Sequence, residues 1–345
     1  MNILGISCYF HDASAALLRD GKLIAAAEEE RFTRKKHDYD FPQNAIDFCL
    51  KASGINAVDL DYVAFFEKPF IKFERLLLSS MQTFPRSHRV FREAMITWLG
   101  DKLWIKTLIQ KRLGVPASKI LFSEHHLSHA ASAFLCSPFE EAGILTVDGV
   151  GEWTTASMGI GRGTDINLVK EIRFPHSLGL LYSAFTAFLG FEVNEGEYKV
   201  MGMAPFGKPK YADKVHKLIR LAEDSSFELD MDYFSFHHSP DQTFNSKFVD
   251  LFGPPRDPKA LFFTPDTGYP SYFGDKPTNY QQLGKENQHY ADIAASIQTV
   301  TEEILLKMAR QVHKEFGVKR LCMAGGVALN SVANGRIVRE TPIEE

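Results

Sequence analysis

Three short stretches at the start of the chain set the first pattern. Asn2 to Ser7 is mostly apolar, Ala13 to Leu18 consists of small residues and leucines, and Lys22 to Ala27 follows an Asp20-Gly21 pair. Runs of this length around an Asp-Gly turn predict a β-meander. Phe41-Pro42 then opens a stretch, Gln43 to Ala52, with Ile46, Cys49 and Leu50 at helical spacing, which predicts a helix. Val58 to Phe66 reads as a strand. Residues 69–113 are rich in aromatic and basic residues, among them Arg86, His88, Arg89, Arg92, Trp98 and Trp104. Helical spacing fits parts of this region, so a packed helical insertion is expected, with a membrane-surface or partner helix as the alternative.

Lys119 to Phe122 reads as a short strand and Ala130 to Leu135 as a helix, for which Ser123 is the expected N-cap. Ile144 to Val147 is a buried-type strand, and Ala156 to Ile160 is another. His176 to Phe191 predicts a buried helix with Ser177 as N-cap and Gly190 as its stop. Glu195 to Ala204 mixes charge with glycine before a Pro205-Phe206-Gly207 break and reads as a loop beside a site. Periodicity fades over 207–285, an irregular insertion suited to carrying specificity. Glu286 to Phe316 predicts a long amphipathic helix ended by Gly317. Its buried stripe is Tyr290, Ile293, Ile297, Val300, Ile304, Met308 and Val312. Arg320 to Ala324 reads as a last strand. The sequence carries no clear internal repeat and no low-complexity tract.

A length of 345 residues suggests two domains or one large two-lobed α/β unit. Hydrophobic residues at 45% and charged residues at 24% suit a globular core. The formal net charge of −4 gives no general pull toward nucleic acid or anionic membranes. No basic region precedes the first apolar run, so no signal peptide is expected. No apolar run approaches the roughly 20 residues that span a bilayer. Cys8, Cys49, Cys136 and Cys322 are scattered and read as reduced thiols of a cytosolic protein.

The richest chemistry lies at Ser123-Glu124-His125-His126-Leu127-Ser128-His129. On a helix starting there, His125 and His129 project from one face and can share a divalent metal. Asp148, at the end of the next strand, is a candidate oxygen ligand. The glycines of Asp148-Gly149-Val150-Gly151-Glu152 let backbone amides approach a phosphate. Each part also has a plain reading, since such histidine pairs occur without metal and Asp-Gly is a turn signal. Together, within one strand–helix–strand unit, they point to a metal or metal–phosphate site. Cys8 to Asp12, between the first two strands, is placed to face a ligand. The charged run Glu28 to His37 is either a solvated loop or a place where Arg31 and Lys35 or Lys36 reach an anionic substrate. Gly325-Gly326, between a strand and a helix, suits a nucleotide's ribose or phosphate, with Asn330 as a donor.

Seven stretches resemble the O-carbamoyltransferases of the nodulation and antibiotic-tailoring type, such as the tobramycin and cephamycin carbamoyltransferases. They are His11 to Ala16, Ala27 to His37, His125 to Phe134, Val147 to Trp153, Pro175 to Tyr182, Lys199 to Pro205, and Gly325 to Asn330. They run in order along almost the whole chain. The resemblance implies a first domain similar to the tRNA threonylcarbamoyl-transfer protein. That is an α/β, two-lobed actin/Hsp70-like (ribonuclease-H-like) fold, with mixed sheets and flanking helices. Residues 1–140 would form one lobe with a helical insertion at about 69–113. Residues 141–345 would form the second, with the insertion at about 207–285. The implied reaction makes carbamoyl adenylate from carbamoyl phosphate and ATP, then passes the carbamoyl group to an acceptor hydroxyl beside a metal, usually iron. Carried over, His125, His129 and Asp148 are the metal ligands and His126 a bystander. His11 is the candidate general base, and Asp12 and Lys36 hold the substrate or its phosphate. Gly149 and Gly151 cradle phosphate; Gly325, Gly326 and Asn330 bind the adenosine, with Lys199 counted in the nucleotide site. Imidazole and carboxylate ligands suit Fe²⁺, Zn²⁺ and Mn²⁺ alike.

The family's fourth metal ligand, an aspartate beyond the Gly-Gly-Val-Ala-Leu-Asn stretch, and its adenylate-forming C-terminal domain do not occur before Glu345. A fragment or one half of a split protein is therefore expected, one that binds metal more weakly and makes no carbamoyl adenylate alone. The expected partners are a sugar-like or antibiotic-like hydroxyl acceptor and a separate C-terminal half. A homodimer is left open, and neither nucleic acid nor membrane is expected. Two other readings stand beside transfer: an ATP-using phosphotransferase or ATPase of the same fold, and an inactive nucleotide-binding half. The histidine pair argues against a plain sugar kinase, and the absence of His-Glu-x-x-His argues against a zinc hydrolase.

Overall fold

The computed structural model describes every residue except Asp101. The chain divides into two compact units. One holds Met1–Phe84 and His88–Ser128, and the other Pro85–Ser87 and His129–Glu345.

The first unit opens with the expected meander: β1 (Asn2–Ser7), β2 (Ser14–Arg19) and β3 (Lys22–Glu28). Asp20 and Gly21 both take positive φ, 50° and 77°, which matches the right-handed twist of the paired strands. A short helix α1 (Glu30–Thr33), then α2 (Gln43–Ser53), lead to β4 (Tyr62–Phe65). The insertion is helical as the spacing predicts, with α3 (Pro69–Gln82), α4 (His88–Gly100) and α5 (Ile105–Leu113). β5 (Ile120–Phe122) follows. The sheet order is β3-β2-β1-β4-β5, antiparallel across the meander and parallel from β1 through β4 to β5. Leu4, Ile6, Leu17, Val63 and Ile120 of the sheet are buried with Ile46 and Cys49 of α2 and Ile109 of α5.

α6 (His125–Phe134) carries the line between the units, which falls after Ser128. It opens one position too late for Ser123 to cap it; the Ser123 hydroxyl donates to Glu124 O instead. Ala130 and Phe134 of the helix are buried with Ala142, Ile144 and Cys322 of the second unit.

The second unit repeats the first unit's start. β6 (Glu141–Val147), β7 (Thr154–Arg162) and β8 (Asp165–Arg173) form an antiparallel meander. Next come α7 (Leu178–Phe188), α8 (Glu197–Met203), α9 (Ala212–His216), the hairpin β9 (Ile219–Leu221) and β10 (Phe227–Leu229), and α10 (Ser246–Phe252). α11 (Tyr280–Phe316), β11 (Leu321–Ala324) and α12 (Ser331–Glu340) complete it. The sheet order β11-β6-β7-β8, with β11 parallel to β6, matches β4-β1-β2-β3. Each unit therefore shows a ribonuclease-H-type order, and the chain is the mixed α/β, actin-like class.

Three readings change. Residues 197–203 are helical rather than loop, because Val200 and Met203, one turn apart, are buried and Glu197 accepts from the Ser183 hydroxyl at 2.8 Å. α11 begins at Tyr280, six residues before the expected start, and the predicted stripe from Ile293 to Val312 is buried. The 207–285 segment is irregular along much of its length but not loosely attached. Its Phe234, Phe248 and Phe252 are fully buried, and the rings of Phe248 and Phe252 lie 5.0 and 5.1 Å from that of Phe185 on α7.

Two outcomes follow for stability. Phe188→Ala removes a fully buried ring from this aromatic cluster and is expected to cost about 3–5 kcal/mol in urea unfolding. Gly325 has φ +97°, and a Cβ there would meet Val147 O at 2.4 Å. Gly325→Ala is therefore expected to lower the thermal midpoint, whereas Gly202→Ala, on α8 with open space around it, is expected to leave it unchanged or raised.

Candidate active site

In the second unit the site grows from the carboxyl ends of two parallel neighbours, β6 and β11. Such strand ends are where open α/β sheets bind ligands. Asp148 follows β6. Its Oδ1 accepts a hydrogen bond from Gly326 N at 2.9 Å, and its Oδ2 lies 3.5 Å from His129 Nε2. That separation is long for a hydrogen bond. Two donors about 2.1 Å from one ion at a tetrahedral angle stand about 3.4 Å apart, so the pair fits a shared divalent metal. His125 stands one helical turn before His129 on α6 and is buried. His126, also buried, has its ring 5.7 Å from that of His125.

The surrounding backbone is packed too closely for side chains. A Cβ on Gly179 would lie 2.5 Å from Asp148 O, and one on Gly326 would lie 3.2 Å from Asp148 Oδ1. Ser177 caps α7 as expected, accepting from Leu180 N at 3.0 Å. Its hydroxyl also reaches Gly149 O at 2.6 Å. Gly149 and Gly151 lie in the β6–β7 turn, which Gly151 N closes on Thr154 O at 2.9 Å. The glycine turns Gly149–Gly151 and Gly325-Gly326 are thus gathered around Asp148. Asn330 is buried; its side chain caps α12 by accepting from Ala333 N and exchanges two hydrogen bonds with Gln298 at 2.9 and 3.0 Å. Lys199 is exposed on α8, its ammonium 5.7 Å from the Tyr198 ring centre.

The first unit holds a separate cluster. Asp12 accepts from His11 Nδ1 at 2.9 Å through Oδ2 and from His37 Nδ1 at 2.8 Å through Oδ1. Burial pushes the Asp12 carboxyl up, but the hydrogen bonds of His37 and His11 outweigh it and hold the group below its ordinary value. An ionised carboxylate only accepts, so both imidazoles carry Nδ1–H, and in the neutral ring of His11 the accepting nitrogen is then Nε2. The cluster is braced by Tyr9 N to Tyr39 O and Ala13 N to Asp38 O, both 2.7 Å. Of the charged run, Arg31 pairs with Glu28 and Glu30, and Lys35 with Asp38 and Asp40. Lys36, exposed, is adjacent in sequence to His37. His37 has no role among the residues the sequence pattern singles out; its signal is its place at the end of a charged run that begins on the strand beside the His11 loop.

The family model for the carbamoyltransferase N-terminus matches residues 2–345. An uncharacterized protein of Synechocystis, sll1178, is 49% identical over 98% of this chain and 52% of its own length. The nodulation protein NolNO of Sinorhizobium fredii is 33% identical over 96% of this chain and 42% of its own. A tRNA N6-adenosine threonylcarbamoyltransferase of Streptococcus suis is 28% identical over 50% of this chain and 48% of its own. The chain spans about half the length of the curated relatives it matches. Among the described residues no helix is long and apolar enough to cross a membrane. With the match running from the first strand to the last helix and beyond, this chain belongs to the carbamoyltransferase N-terminus family.

Proposed function

We propose that the protein takes a carbamoyl group from carbamoyl adenylate, made from carbamoyl phosphate and ATP, and passes it to a hydroxyl of a small-molecule acceptor. Family membership supports the group transferred. The observation that carries the metal-assisted form is the facing of His129 Nε2 and Asp148 Oδ2 at 3.5 Å, with the other carboxylate oxygen held by Gly326. His125, His129 and Asp148 are the residues assigned to the metal, with Fe²⁺ first and Zn²⁺ or Mn²⁺ chemically acceptable. When bound, the ion supplies a Lewis acid for the phosphate oxygen that leaves with AMP.

The remaining work falls to the chain itself. His11 Nε2 takes the proton of the acceptor hydroxyl as its oxygen attacks the carbamoyl carbon. Asp12 holds the imidazole in the accepting tautomer and stabilises the imidazolium that forms. Lys36 is assigned to the phosphate as a point charge. The Gly149–Gly151 turn is assigned to phosphate, with the Gly151 amide itself closing the turn on Thr154 O, and Gly325 and Gly326, with Lys199, to the nucleotide. Asn330, whose side chain also caps α12 by accepting from Ala333 N, is assigned with them to the nucleotide.

Two measurements test this. Mass spectrometry on anaerobically purified protein is expected to find close to one divalent ion per chain, lost in His125→Ala/His129→Ala; a metal-free wild-type chain refutes the metal assignment. In the whole protein, transfer of labelled carbamoyl phosphate to a panel of sugars and aminoglycosides is expected to slow about 10²- to 10⁴-fold in kcat on Asp12→Asn. The donor KM should change little, and an unchanged kcat removes His11 and Asp12 from the reaction.

A further inference from the structure

A buried carboxylate outside the residues assigned above lies in the first unit beside a candidate metal ligand. Glu67 follows β4 and is 7% exposed; Lys72, in the first turn of α3, is 8% exposed. Lys72 Nζ donates to Glu67 Oε2 at 2.6 Å. The same oxygen lies 3.7 Å from His125 Nδ1. The local frame is tight. β4 and β5 are parallel neighbours, Ser123 N donates to Phe65 O at 3.0 Å, and the Ser128 hydroxyl donates to Phe66 O at 2.8 Å. The segment carrying Glu67 and the first turn of α6 are thus fixed to one another.

Burying an ammonium–carboxylate pair is a poor way to gain stability, since an apolar pair of similar volume does as well or better. Its use must lie in what the fixed carboxylate faces. Metal-binding imidazoles commonly turn their second nitrogen to a carboxylate, which sets the tautomer and the ring orientation. We infer that Glu67 is a positioning residue whose carboxylate, facing Nδ1 of His125 from just beyond hydrogen-bond length, accepts from that nitrogen when Nε2 serves as the metal donor, and that Lys72 keeps Glu67 in place. This rests on the metal reading of His125, His129 and Asp148. It also gives the helical insertion a task, because α3 supplies Lys72.

The test uses Co²⁺ alone as the probe, titrated into the metal-free full chain against a chromophoric chelator, with the visible d–d spectrum as a second readout. The variants are Glu67→Gln, Glu67→Asp and His125→Ala, plus the double variant Glu67→Gln/Lys72→Met, which leaves no stranded buried ammonium. Glu124→Gln, an exposed partner of Lys68, is the control. Glu67→Gln is expected to weaken Co²⁺ binding about 10- to 100-fold and to shift the bands, with partial recovery in Glu67→Asp. If Glu67→Gln does not fold, the double variant gives the same reading. Wild-type affinity and an unchanged spectrum in a folded Glu67 variant overturn the inference while the metal site stands. A wild-type chain that takes up no Co²⁺ overturns the metal reading and this inference with it.

Discussion

The second unit is organised by the fixing of one carboxylate. Asp148 has one oxygen on the Gly326 amide and the other facing His129. To reach that state, three pieces of backbone must crowd a single residue: the end of β6, the turn after β11 and the start of α7. Cβ atoms at Gly179 and Gly325 would lie 2.5 and 2.4 Å from carbonyl oxygens of Asp148 and Val147. The glycines are therefore a packing requirement of the carboxylate's position. Ser177 serves both ends of the arrangement, capping α7 and tying it to Gly149.

The first unit meets a different constraint. Asp12 at φ 49° and His37 at φ 53° both hold left-handed backbone, which non-glycine residues adopt at a cost of about 1–3 kcal/mol each. Paired backbone hydrogen bonds between the 9–13 and 38–39 segments offset that cost. What the strain secures is a carboxylate with an imidazole on each oxygen. That each Nδ1 carries a hydrogen then follows from elementary donor and acceptor chemistry rather than from any further contact.

Much of this was legible in the sequence, for reasons that differ by element. The α11 stripe, the Asp20-Gly21 turn and the Ser177 cap are local signals, and local physics sets them. His125 and His129 needed only the helical repeat. α8 was misread because its glycines and charges look like loop chemistry, whereas two buried side chains one turn apart decide the matter, and burial is not a local property. Glu67 was invisible for a related reason: its partners Lys72 and His125 are 5 and 58 positions away, and a lone glutamate after a strand is indistinguishable from a solvated one. The repeat of the two meanders escaped notice because topology recurs where residues do not.

That repeat explains where the candidate site residues sit. The first connection of each meander carries some: Cys8 to Ala13 holds His11 and Asp12, and the corresponding β6–β7 turn holds Asp148, Gly149 and Gly151. The ends of the corresponding parallel strands carry others, Glu67 after β4 and Gly325-Gly326 after β11. In both units the carboxyl edge of the sheet leaves backbone groups and side chains beyond the last ladder bond, and these can be committed to a ligand without weakening the core. The two units then diverge in what they commit. The first uses side chains, pairing charges with histidines. At the same edge the second gathers glycine-rich backbone around a single aspartate. One topology, read twice, thus yields a carboxylate flanked by two histidines in one unit and an aspartate crowded by glycines in the other.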